Sequence, residues 1–389
     1  MIPLMKNTFY KEEDVKKNLS KFILEASILS MNSKCSEFEK SFANYQQTPF
    51  AILFNSGGSA NLAILQALKN LGKLKDGAKI GFSSLTWSTN VMPIIQMGFE
   101  PVPIDVNINT LNVMSSSLKE RIKDVKIDAF FATNVLGFLG DLNNIRDLCS
   151  ENDILFIEDN CESLGASLPE GKSGNFGIAS SFSFYVAHHM STIEGGIVCS
   201  NDPELVEMLK IVRSNGWDRN LTEKQKKKWH SKYNIDNFFS KYSFYDLGFN
   251  LRPTEITGFI GIQQLKYLDE IIEIRKTNYE YLNHTIINNP DLYEIDHSHM
   301  SRLSPFAIPI ICKTKEKRDK YIARFLEMGI EIRPIIAGNM QNQPFYKKYV
   351  SNYYNLSSTD LIASQGFYFG NYPEMTEEEL NLCAKCLKK

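Results

Sequence analysis

From about residue 35 to residue 215 short apolar segments alternate with helical ones, and few folds accept that rhythm. Apolar strands are expected at 49–54, 78–83, 102–106, 128–134 and 154–159, with helices at 57–71, 88–97 and 143–151 between them. Strands too apolar to alternate, each followed by a helix, imply βαβ units and a largely parallel sheet covered on both faces. In such sheets ligands sit beyond the carboxyl ends of the strands. Asn55, Trp87, Asp159 and His188 all follow an expected strand and so are expected to converge on one crevice.

Pro253 opens a stretch with few breakers, and one long helix is expected from 254 to about 287. It would be the spine into a smaller α/β unit with strands at 306–311 and 331–335 and helices at 314–328 and 376–387. The chain therefore reads as two domains. Residues 1–252 would form the large one, with an N-terminal helical segment, and residues 253–389 the small one.

Charge excludes several classes of partner. Lys plus Arg number 43 against 45 for Asp plus Glu, so no polyanion-binding surface is expected, and nucleic acid is not a partner. The basic run Lys224-Gln-Lys-Lys-Lys228 reads as a solvated loop. Seven scattered cysteines, with neither a signal-type apolar segment nor an apolar run near membrane length, read as thiols of a soluble cytoplasmic protein. Cys383 and Cys386 lack further ligands nearby, so no metal site is assigned.

The chemistry concentrates in four short stretches. Asn55-Ser-Gly-Gly-Ser-Ala-Asn61 joins a strand to a helix, and free N–H groups at a helix start can face an anion; it can equally be a tight turn with no ligand. Trp87 either stacks on a planar ring or belongs to the core. Asp159 closes a strand in Glu158-Asp-Asn-Cys-Glu162, where it either serves a ligand or caps the next turn. Ser183 lies on the strand leading into Tyr185-Val-Ala-His188-His189, a polar loop before a second short strand from Gly195.

In order and spacing these stretches resemble the DegT/DnrJ/EryC1/StrS family of sugar aminotransferases, within the fold-type I enzymes of pyridoxal phosphate (PLP). The resemblance covers nearly the whole chain. It rests on Ser56-Gly-Gly-Ser-Ala60, Thr86-Trp-Ser-Thr89, Glu158-Asp-x-x-Glu162-Ser-x-Gly-Ala166, Phe182-Ser-Phe-Tyr185 and Gly248-Phe-Asn-Leu-Arg-Pro-Thr-Glu255. It implies that Gly58, Ser59 and Ser183 hold the cofactor phosphate and that Trp87 stacks on the ring. Asp159 would pair with the ring nitrogen, making the ring an electron sink, and Glu162 would lie near the ring hydroxyl. Asn250 would reach the phosphate from the other subunit of a homodimer with shared sites.

Two positions depart from the aminotransferase pattern: Glu162 stands where many members have Gln, and His188 where they have the cofactor lysine. His-His at this point resembles the 3-dehydratase branch of the family. Its cluster-bearing kind places cysteines largely after the histidine loop, and residues 200–250 contain none here. The chain thus resembles the cluster-free kind, which acts on GDP-4-keto-6-deoxy-D-mannose in the colitose pathway and needs no reductase.

The resemblance implies that PLP takes an amino group from glutamate to give pyridoxamine phosphate (PMP). His188 would then move a proton while the C3 hydroxyl of the ketosugar leaves, and ammonia and a 4-keto-3,6-dideoxy sugar nucleotide are released. An imidazole with an ordinary pKa of about 6.5 suits proton transfer in both directions. His189 reads either as a loop residue bonded to its neighbours or as a second proton-transfer group. Arg219 and Arg333 read either as ligands for carboxylate or phosphate groups or as surface ion-pair partners. The alternatives are an aminotransferase whose lysine was replaced, and a non-catalytic sugar-nucleotide binding protein on the same fold.

Overall fold

The computed structural model describes residues 1–389. Its strands are β1 (Phe50–Phe54), β2 (Lys79–Ser83), β3 (Glu100–Ile104), β4 (Ala129–Thr133), β5 (Leu155–Asp159), β6 (Ser167–Leu168), β7 (Gly171–Lys172), β8 (Ala179–Ser183), β9 (Gly196–Ser200), β10 (Ala307–Ile311), β11 (Ile332–Arg333) and β12 (Gly366–Gly370). Seven of them form one sheet in the order β1-β9-β8-β5-β4-β2-β3. β3, β2, β4, β5 and β8 run parallel, and only β9 is antiparallel to its neighbours β8 and β1. The α/β class with a mostly parallel sheet is as expected.

Both faces are covered, which is why the strands read as unbroken apolar runs. Helices Gly57–Asn70, Ser88–Gln96 and Pro203–Arg213 bury Ile64, Val91 and Leu209 against Ile80, Phe131 and Ile157. On the opposite face Ile145, Tyr279 and Leu282 pack with Phe130 and Phe156. That second cluster continues without a break into Ile308, Ile310 and Phe369 of the three-stranded antiparallel sheet β10-β12-β11. Residue Ile2 bridges to Ile330 and the Leu4 N–H donates to Glu331, so the first residues lie against the C-terminal sheet.

Three expectations need correction. The stretch 254–287 is two helices, Glu255–Leu265 and Leu268–Ile287, separated at Lys266 and Tyr267. The Tyr267 N–H bonds the Gln264 carbonyl, a tight turn that no Gly or Pro announces. The basic run lies in helix Glu223–Tyr233, because Thr222 and Gln225 form a reciprocal capping box at its start. β3 begins two residues earlier than expected, its register set by pairing of Lys79 with Glu100 along β2.

Candidate active site

The carboxyl ends of β2, β4, β5 and β8 open into a cleft of about 530 Å3. Its walls include Ser56, Gly57, Gly58, Trp87, Asp159, Glu162, Ser183 and His188. Asn55 does not reach it; it is exposed, and its N–H bonds the Leu251 carbonyl instead.

One end of the cleft is the start of helix Gly57–Asn70. Ser56 is its N-cap, its Oγ accepting from the Ser59 N–H at 3.0 Å, a contact worth about 1 kcal/mol. Ser59 is not among the residues lining the cleft; its hydroxyl is 3.0 Å from the Ser56 hydroxyl and acts on the loop. Gly57 admits no side chain, since a Cβ there would stand 2.6 Å from the Ser183 Cβ. The backbone therefore approaches Ser183 closely and leaves a polar cradle at the positive end of a helix dipole, which suits a phosphate.

Strand alternation sends the two acids of β5 to opposite faces. Glu158 is fully buried and accepts from the N–H groups of Gly174, Phe176 and Gly177 at 2.7–2.9 Å, anchoring that loop; burial still raises its pKa. Asp159 faces the cleft. Its Oδ2 accepts from Asn61 Nδ2 at 2.8 Å and Asn90 Nδ2 at 2.7 Å, and its Oδ1 from the Cys161 N–H at 2.8 Å. Asn61 is the fifth residue and Asn90 the third of two helices on the same face, and neither was singled out from the sequence. Trp87 is 57% exposed and lines the cleft, so it is not a core residue.

His188 lies opposite. Its Nδ1 is 3.3 Å from the Ser183 carbonyl oxygen, which can only accept, so Nδ1 carries the hydrogen and Nε2 the lone pair. The Phe306 ring meets it edge-on at 5.3 Å. Burial pushes the imidazole pKa down to about 4; the Asp159 charge and the Ser183 carbonyl oppose this and Arg275 adds to it. The ordinary value near 6.5 expected from the sequence is thus not what the fold provides. His188 is neutral at pH 7 and available as a base. Burial and the neighbouring Asp159 raise Glu162 to about 7, against the Leu136 N–H that donates to it at 2.9 Å. His189 is buried and does not line the cleft, its Nε2 bonded to the Ser304 carbonyl at 2.9 Å.

The remaining expected residues lie outside these walls. Asn250 is exposed and accepts from Arg252 Nε. Arg219 is exposed, 5.4 Å from the Trp217 ring centroid. Arg333 is exposed and paired with Glu331, yet stands in register with Tyr368, whose side chain lines the cleft.

Residues 10–388 match the model of the DegT/DnrJ/EryC1/StrS aminotransferase family. The chain belongs to that family. It is 31% identical to the GDP-4-keto-6-deoxy-D-mannose 3-dehydratase of Yersinia pseudotuberculosis over 393 residues, covering all of this chain and 98% of that one. A crystal structure of GDP-4-keto-6-deoxymannose 3-dehydratase with a trapped PLP–glutamate geminal diamine superposes with TM-score 0.90 at 30% identity, covering 100% of each chain. A structure of a histidine-to-asparagine mutant of the same enzyme, with bound GDP-perosamine, superposes equally well over both whole chains at the same identity.

The residues present fit PLP. The Gly57–Gly58 cradle with Ser183 suits its phosphate, Trp87 its ring face and Asp159 its pyridine nitrogen. No lysine is among the residues lining the cleft, so no amine is in place to bind the cofactor covalently.

Proposed function

We propose that this chain is a PLP-dependent 3-dehydratase that removes the C3 hydroxyl of a GDP-linked 4-keto-6-deoxy sugar, a hexose or a heptose. The observation that carries the reading is a cleft that gathers Gly57, Trp87, Asp159 and Ser183 and offers an imidazole, His188, but no lysine. When bound, PLP would supply an amino group carried from glutamate and an electron sink. His188, uncharged and oriented by the Ser183 carbonyl, accepts a proton at Nε2 and can return it to a leaving hydroxyl. Asp159, held by Asn61 and Asn90, would pair with the ring nitrogen. The sugar loses one oxygen, glutamate leaves as 2-oxoglutarate, and ammonia is released, so oxygen and nitrogen balance. No reductase and no iron–sulfur cluster enter this balance.

We further propose a homodimer with shared sites. Asn250 does not reach the cleft of its own chain, and the segment before it exposes Phe238 (73%), Tyr242 (77%), Phe244 and Leu247. A surface this apolar suits burial against a second copy. Arg219, near the same segment, would meet the nucleotide phosphates or the glutamate carboxylate from that copy, and Arg333 those from its own chain. All seven cysteines are free thiols, which suits the reducing cytoplasm, and no helix is long and apolar enough to cross a membrane.

The test is incubation with PLP, glutamate and a panel of 4-keto-6-deoxy sugar nucleotides, read by mass and by ammonia release. Loss of one oxygen from the GDP-linked sugar with ammonia in step is expected. His188→Asn should lower turnover by about 10²–10⁴-fold while sugar-nucleotide binding persists. A 4-amino sugar as the product would make the chain an aminotransferase.

A further inference from the structure

Behind His188, on helix Leu268–Ile287, Arg275 is 3% exposed. A buried guanidinium costs several kcal/mol unless hydrogen bonds replace its water. Here three carbonyl oxygens do so for its two Nη groups, while Nε has no partner: Nη1 donates to Phe306 at 2.8 Å and to Asn371, and Nη2 to His188 at 3.2 Å. Burial lowers its pKa only to about 10, so it stays charged at neutral pH.

The groups it gathers flank the imidazole. One is the backbone of His188 itself, and another belongs to Phe306, whose ring packs edge-on against His188. Asn371 tightens the same knot, donating to the carbonyls of Arg275 at 3.0 Å and Pro305 at 3.1 Å. On the next residue, His189 holds Ser304. Two adjacent loop residues are thus tied to two neighbouring points of the 304–306 segment.

We propose that Arg275 is a positioning residue for His188, fixing the loop and Phe306 so that the imidazole faces the cleft in a single orientation. This rests on the reading of His188 as the proton-transfer group. The groups around the imidazole are Asp159 at the end of β5, Cys161 and Glu162 just beyond it, Tyr185, His189 and Glu194 of its own loop region, and Arg275 behind, with Glu374 acting on Arg275. Burial is what keeps His188 neutral against the Ser183 carbonyl and the Asp159 charge, and the Arg275 charge adds to it in the same direction.

The test compares Arg275→Lys and Arg275→Gln in the full-length protein. Lysine keeps the charge but cannot span three carbonyls; glutamine loses the charge. Both should lower kcat by about 10²-fold, the scale of a displacement near 1 Å, with KM for the sugar nucleotide within about threefold. His188 is also titrated by NMR without cofactor, its signal assigned by loss in His188→Asn. Its midpoint should rise in Arg275→Gln, where the charge that lowers it is gone, and stay low in Arg275→Lys. Wild-type kcat in both variants, or an unmoved midpoint in Arg275→Gln, overturns the proposal. If Arg275→Gln fails to fold, kcat against KM in Arg275→Lys decides it. The titration needs no turnover, so it stands or falls separately from the dehydration reading.

Discussion

His188 and Glu162 should give the cofactor-free protein two opposed dependences of stability on pH. In the unfolded chain His188 takes a proton near 6.5, in the folded protein only near 4. Its contribution is therefore fully present above about 6.5 and is lost as pH falls to 4. Glu162 behaves in reverse. Folded, it keeps its proton to about 7, while the unfolded carboxyl releases it near 4.5, so its contribution is present below 4.5 and lost as pH rises through 7. Each shift spans about 2.5 units, of order 3 kcal/mol at about 1.4 kcal/mol per unit.

Between 4.5 and 6.5 the two slopes cancel in the wild type. His188→Asn should leave the Glu162 slope alone, so stability declines from pH 4.5 to 7. Glu162→Gln should leave the His188 slope, so stability climbs from pH 4 to 6.5. The two variants should diverge by about 5 kcal/mol across that window. Urea unfolding of all three proteins at half-unit pH steps measures it, and every other carboxylate contributes alike to the three curves. Parallel curves would refute the assignment of these shifts to burial in the cleft.

Three further outcomes follow from the same geometry. Borohydride treatment and denaturation should leave no cofactor mass on the wild-type chain, whereas His188→Lys should retain it; retained mass on the wild type contradicts a cleft without an amine. Gly57→Ala should weaken PLP binding at least tenfold by fluorescence titration, because a Cβ there collides with Ser183; unchanged affinity would place the phosphate elsewhere. Mixing inactive His188→Asn with inactive Asn250→Ala should restore up to about a quarter of wild-type turnover through hybrid dimers with one intact site, and no recovery would argue against shared sites.

Most elements of the large sheet and their helices were legible because their signals are local. Apolar runs and the Gly-Gly turn at the start of helix Gly57–Asn70 act within a few residues, and strand ends mark where a ligand lies. That His188 would face the crevice was legible for the same reason, since it follows a strand. What tertiary structure alone decided is what depends on residues far apart in the chain. Asn61 and Asn90 become Asp159 partners only once two helices pack on one face of the sheet. Arg275 and Phe306 reach His188 only because the C-terminal unit closes over the loop. The protonation of His188 and Glu162 is likewise a property of the closed cleft. A side chain's charge responds to the water it has lost, and how much water is lost is settled by what the rest of the chain brings around it.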